Sequence, residues 1–152
     1  MLANEPENIY YLVLGINDYW IHGESYIGTI DDITDDYTQN PDTFYGNYAR
    51  IIEQIQAHAP NSKQILFTVA NTNAVAQKFT DAIIKIALHY GIPYIIQADD
   101  EYFKSREYVA MVGSHPTAVG YAGMANAFER LISDCIKDNY YYFWKFGAYA
   151  ET

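Results

Sequence analysis

Two short blocks of this 152-residue chain carry side chains suited to acyl chemistry. The first is Gly15-Ile16-Asn17-Asp18, which follows an apolar run from Ile9 to Leu14. An Asn held just beyond a buried strand can aim its side-chain NH2 at a developing oxyanion. The same letters also read as an Asx turn leaving a strand. The second block is His115-Pro116-Thr117. A His fixed by a rigid Pro-Thr step suits general-base work, because its orientation is set. A helix-initiating His without chemical duty fits the same letters.

Other reactive residue types have weaker contexts. The acidic series Asp31, Asp32, Asp35 and Asp36 lacks the spaced ligands and terminal Glu of a calcium loop, and suits a solvated surface. Asp18 and His22 with Asp31 or Asp32 have no spacing that fixes a metal geometry. Gly23-Glu24-Ser25 is not fed by an apolar strand, so Ser25 is a poor nucleophile. Ser62, Ser105, Ser114 and Ser133 have no better setting. The single cysteine, Cys135, excludes an internal disulfide and falls on the apolar side of a helix.

The elements that must position the two blocks follow from apolar periodicity. Ile9 to Leu14 is continuous enough for a strand buried on both faces. Ligands in open α/β sheets sit beyond the carboxyl ends of such strands. Tyr19 to Gln39 reads as a long loop with one turn of helix, the kind of segment that often serves function. Asn40-Pro41-Asp42 opens a helix with the stripe Phe44, Tyr48, Ile51, Ile52 and Ile55, and Pro60 ends it. Ile65 to Ala70 is a second strand. Asn71-Thr72-Asn73 caps a second helix, whose buried face is Val75, Phe79, Ile83, Ile86 and Tyr90, and Gly91 closes it. Pro93 to Gln97 is a third strand. Residues 98–114 read as irregular. The third helix follows His115, with Tyr121, Met124, Phe128, Leu131, Ile132 and Cys135 on one side. An aromatic tail runs from Asp138 to Tyr149, suited to packing on the sheet or to an interface. Strand–helix alternation implies a parallel sheet with right-handed crossovers.

Half the residues are hydrophobic, enough for one core, and the length suits one domain over 1–152. The net charge of -10 argues against nucleic acid and anionic lipid as partners. No apolar run reaches the ~20 residues of a membrane span. Met1 to Asn8 is acidic and polar, unlike a secretory signal, which reads as cytoplasmic unless the chain is a piece of a longer exported protein.

Taken together, Gly15-Ile16-Asn17-Asp18 and His115-Pro116-Thr117-Ala118-Val119-Gly120-Tyr121 resemble the SGNH, or GDSL-type, hydrolase superfamily. The text between them, through Asp42-Thr43-Phe44-Tyr45-Gly46 and Ala59-Pro60-Asn61, is similar as well, so the resemblance runs from about Ile9 to Ile136. It implies a three-layer α/β/α sandwich whose first strands are missing here, that is, a partial domain. It implies catalytic roles for Asn17 as oxyanion donor and His115 as base, with Gly15 and Asp18 in the same block. The mechanism implied is serine acyl-enzyme hydrolysis of a small ester, an acylated sugar or lipid, without cofactor or metal. Two departures stand out. The usual acid position, three residues before the His, holds Val112, so a backbone carbonyl or a carboxylate such as Asp99 or Asp100 would have to orient His115. The nucleophile block is absent, so an N-terminal half or a homo-oligomer would complete the sheet. The competing expectation is a non-catalytic binding or assembly module that keeps the fold.

Overall fold

A computed structural model describes residues 7–111 and 115–144. Among these, three parallel strands form one sheet in the order β1-β2-β3: β1 is Ile9–Val13, β2 is Lys63–Phe67 and β3 is Tyr94–Ile95. The register sets Tyr11 against Ile65, Leu12 against Leu66 and Val13 against Phe67, and continues with Leu66 against Tyr94. Alternation along β2 then sends successive side chains to two separate cores. Leu66 joins Leu12 in the first core, while Ile65 and Phe67 enter the second.

Helices cover both faces, which is what an α/β/α layering requires. The first core is filled by α2 (Phe44–His58) and α3 (Ala74–Tyr90), through Phe44, Tyr48, Ile52, Phe79, Ile83 and Ile86. The edge-to-face contact of Phe44 with Phe79 binds these helices to each other, and Phe44 also meets Tyr48 within α2. The second core lies under α6 (Ala118–Asp138) and α7 (Tyr140–Phe143), with Cys135, Phe143 and Phe128 over Ile65, Phe67 and Ile95. The expected aromatic packing on the sheet is therefore present at Tyr142 and Phe143. The Tyr142 hydroxyl accepts from the Gln64 backbone N–H at 3.1 Å. The tail beyond Trp144 lies outside the described residues.

β1 differs from its neighbours. Leu12 is buried, yet Tyr11 is 47% and Val13 45% exposed. Their face is the one that carries α6 and α7 over β2 and β3, and no described helix covers it at β1. The other side of β1 has no strand partner among the described residues. Apolar side chains on an unpaired edge are the mark of a sheet with room for more strands.

Several boundaries differ from the sequence reading. β1 stops at Val13, β2 runs Lys63–Phe67 rather than Ile65 to Ala70, and β3 shortens to Tyr94–Ile95. Helix α2 is capped by Thr43, whose hydroxyl accepts from Gly46 N–H at 3.1 Å, and not by Asn40. Asn40 is buried and spent elsewhere: its amide oxygen takes the Thr34 N–H and hydroxyl, and its NH2 bonds Gly46 C=O. Within the capping triplet it is Asn73 that caps α3, and Gly91 closes the helix as expected. The stretch read as irregular contains α4 (Glu101–Lys104) and α5 (Arg106–Met111).

The segment between Tyr19 and Gln39 is more ordered than a free loop. Short 3-10 turns at Glu24–Tyr26, Ile30–Asp32 and Tyr37–Gln39 follow one another, and Tyr26, Ile27, Ile30 and Ile33 pack on the first core. Asp32 is occupied by the Thr29 N–H and the Thr43 hydroxyl, and Asp36 by Thr38, so both act inside the turns.

Candidate functional site

Gly15 turns the chain out of β1 and into α1 (Ile16–Ile21). Its φ of 110° is left-handed, a conformation that costs any side-chain-bearing residue. A Cβ there would stand 3.2 Å from Val69 Cγ2 and 3.4 Å from Phe44 Cζ. Gly15 is thus explained by the turn and by the close approach of the core. Its carbonyl accepts the Tyr19 N–H at 2.9 Å, which closes the first turn of α1. The alternative reading of an Asx turn is replaced by this helix, with Asn17 exposed on its first turn.

Asp18 is half-buried beside Asn17 and is also in that first turn, where a carboxylate suits the helix dipole. Its field reaches inward. Burial pushes the Tyr48 phenol far up, and the Asp18 carboxylate adds to that shift. Tyr26 is raised as well, chiefly by burial, with smaller contributions from Asp42 and Asp18. Asp18 is thus the more enclosed of the pair, while Asn17 is exposed.

His115 lies three residues ahead of α6, not inside it. Thr117 is the cap, its hydroxyl accepting from Gly120 N–H at 3.2 Å. His115 is exposed, and its imidazole has no hydrogen-bonded carboxylate among the described residues. Val112, Gly113 and Ser114 lie outside the described residues, so the usual acid position is not visible. Neither substitute acid reaches His115. Asp100 is buried; it accepts from Tyr102 N–H at 2.9 Å as the cap of α4 and pairs with Arg130 of α6. The Arg130 guanidinium holds the Asp100 carboxyl below the usual carboxylate range, against the upward push of burial. Asp99 is exposed on the far side of β3, where it borders a groove with Leu131 and Asp134.

The two blocks share one end of the sheet. Asn17 follows the carboxyl end of β1 directly. After the carboxyl end of β3 come Gln97, whose side chain and N–H hold Thr68, and then α4 and α5. The start of α6 packs on these helices: Tyr102 donates its hydroxyl to Gly120 C=O at 2.8 Å, and Gly120 sits beside Met111 and Pro116. The end of α6 leads to Tyr142 and Gln64, near the amino end of β2. Helix α6 therefore runs antiparallel to the strands, and its leader, with His115, is at their carboxyl ends. The Asn17 block follows β1, and the His115 block follows α4 and α5, which come after β3 at the other edge of the sheet.

No family model matches the chain, and no curated protein matches it. Two solved structures are similar to it. One is a possible lipase from Chitinophaga pinensis DSM 2588, with 22% identity and a TM-score of 0.52, over 64% of this chain and 45% of that one. A second crystal structure aligns at 16% identity and a TM-score of 0.63, over 88% of this chain and 66% of that one. This chain thus spans less than two thirds of either neighbour. At these identities the likeness is one of fold, an α/β layer structure in which the neighbours extend beyond the elements described here.

Proposed function

We propose that this chain is the site-bearing part of an SGNH-type ester hydrolase, with Asn17 and His115 in catalytic roles. The observation that carries the reading is the common end of the sheet reached by the two blocks. The fold likeness to a structure described as a possible lipase adds support. In this reading a serine from outside these residues attacks the ester carbonyl, and His115 takes its proton. The Asn17 NH2 stabilises the oxyanion of the tetrahedral intermediate. His115 returns the proton to the leaving alcohol, and water then releases the acid from the acyl-enzyme. Gly15 sets the turn that presents Asn17, and Asp18 supports that turn. The substrate class is a small ester, an acylated sugar or lipid. The open edge of β1 is where an N-terminal half, or another copy, would add the strand that brings the serine.

A second reading, a non-catalytic module of the same fold, is favoured by one feature. The nearby buried acid, Asp100, serves Arg130 and α4 rather than His115. A fluorophosphonate probe separates the two. Labelling of a serine in the chain, or in the chain joined to an N-terminal fragment, is expected for the hydrolase. No labelling in either case removes the catalytic reading and leaves the module. In an active assembly, Asn17→Ala should lower turnover about 10²- to 10³-fold, as loss of one oxyanion donor does. Unchanged turnover overturns its role.

A further inference from the structure

Sheet order fixes what lies between the two blocks. Strand β2 stands between β1 and β3, so the turn leaving its carboxyl end lies between the Asn17 block and the segment that follows β3. That turn carries Asn71, half-buried, and Asn73, the cap of α3. Their amides have one orientation, since only the oxygen can accept a backbone N–H. Asn71 Oδ1 accepts the Asn73 N–H at 3.0 Å, and Asn73 Oδ1 accepts the Val75 and Ala76 N–H groups at 3.1 and 3.0 Å. The Asn73 NH2 is then spent on Asn71 Oδ1 and on the Tyr19 hydroxyl oxygen. Two donors are left over. The Asn71 NH2 and the Tyr19 hydroxyl proton meet no acceptor among the described residues.

An aromatic surface adjoins these donors. The Trp20 ring is tilted against Tyr19, with centroids 4.8 Å apart, and stands 55% exposed. Tyr19 also meets Phe79 of the first core edge-to-face. Trp20 follows Asn17 by three residues in α1, so the two side chains share one side of that helix, about 4.5 Å apart along its axis. Asp18 is the only carboxylate between Ile9 and Gly23, in a chain of net charge -10. An exposed indole beside a phenol and an amide, without formal charge, suits a ring with an apolar C–H face and hydroxyl acceptors at its edge. A sugar has both. An alkyl chain offers the two donors no acceptor and would strip water from the Asn71 amide without replacing it.

We infer that Trp20, Tyr19 and Asn71 bind the sugar of an acylated-sugar substrate, Trp20 by stacking and the other two by donating to its hydroxyl oxygens. The inference rests on the ester-hydrolase reading for the place of the acyl group, beside Asn17, and selects the sugar over the lipid. Its test is binding rather than turnover. The whole chain is titrated with methyl 6-O-acetylglucoside while the indole N–H signals are followed by NMR, with Trp20→Phe identifying the Trp20 signal. A saturable shift of that signal in the millimolar range is expected. Triacetin carries the same ester on an acyclic body without hydroxyls, and should leave the signal unmoved at equal concentration. Read from the sugar's own signals, Trp20→Ala should weaken binding about fivefold or more, as loss of a stacking ring does. Asn71→Asp keeps the oxygen that Asn73 needs but removes the NH2, and should weaken binding about threefold to tenfold. Asn61→Asp, the same change in the turn before β2, should leave binding unchanged. No Trp20 shift up to tens of millimolar, an equal shift with triacetin, or equal weakening by Asn61→Asp overturns the inference. Fluorophosphonate labelling is scored separately. Labelling without a Trp20 response removes the sugar site and keeps the hydrolase; a Trp20 response without labelling removes the hydrolase and keeps the sugar site.

Discussion

The Asp100 carboxylate caps α4 and, through its other oxygen, holds the Arg130 guanidinium of α6. One buried acid thereby ties the segment after β3 to the helix that follows the His115 block. Replacing it by alanine removes the cap and the ion pair together, and should cost about 2 kcal/mol in urea unfolding. Asn at this position can still cap, so Asp100→Asn should cost less. The pair also sets a pH dependence. Because folding lowers the Asp100 pKa, the ionised form favours the folded state. Its contribution is fully present above the ordinary carboxylate range and fades as the pH falls through the lowered value. The gap in Tm between the parent and Asp100→Asn should therefore be widest near neutral pH and close on acidification.

Gly15→Ala should be destabilising by about 2 kcal/mol, since a left-handed φ and a crowded Cβ act at one position. Chemical unfolding measures the loss. In an active assembly the same variant should also lower turnover, because the turn that presents Asn17 is displaced.

Tyr142→Phe removes the hydroxyl that accepts the Gln64 N–H at the start of β2. It keeps the ring beneath the Lys63 ammonium, 4.9 Å from its centroid. A backbone donor left without its partner costs about 1 to 2 kcal/mol. Hydrogen exchange at Gln64 should accelerate in this variant, while that of the α3 amides should change little.

Asn17→Ala and His115→Ala should fold like the parent, because both side chains are exposed and neither is hydrogen-bonded among the described residues. Surface changes of this kind move Tm by no more than about 2 °C. A larger drop by calorimetry would assign them to the scaffold instead of to chemistry.

The parts of this fold legible in the sequence are those with strong local signals. Asn73 and Gly91 bound α3 because a short polar cap and a left-handed glycine act locally. Helix α1 was not legible. It buries none of its residues and exposes Ile16, Trp20 and Ile21, so it has no amphipathic stripe to read. Thr43 displaced Asn40 as the cap of α2 because Asn40 is claimed by Thr34 and Gly46, partners that no local pattern reveals. The pairing of Asp100 with Arg130 and the groove beside β3 are likewise tertiary. They exist only once α6 has folded back along the sheet. The two blocks could be read as chemistry from residue types alone; their common end of the sheet depends on the direction of α6.

The parallel ladder also dictates an order of events during refolding. Leu66 meets Tyr94 across one intervening helix, whereas Ile9 must find Lys63 across the 3-10 turns and all of α2. Helices such as α3 need only near neighbours and can form within microseconds. Distant pairings wait for loop closure and are slow. The unit of β2, α3 and β3 should therefore assemble early. The strand that leads to Asn17 should join last, so the candidate site is completed only in the final step of folding.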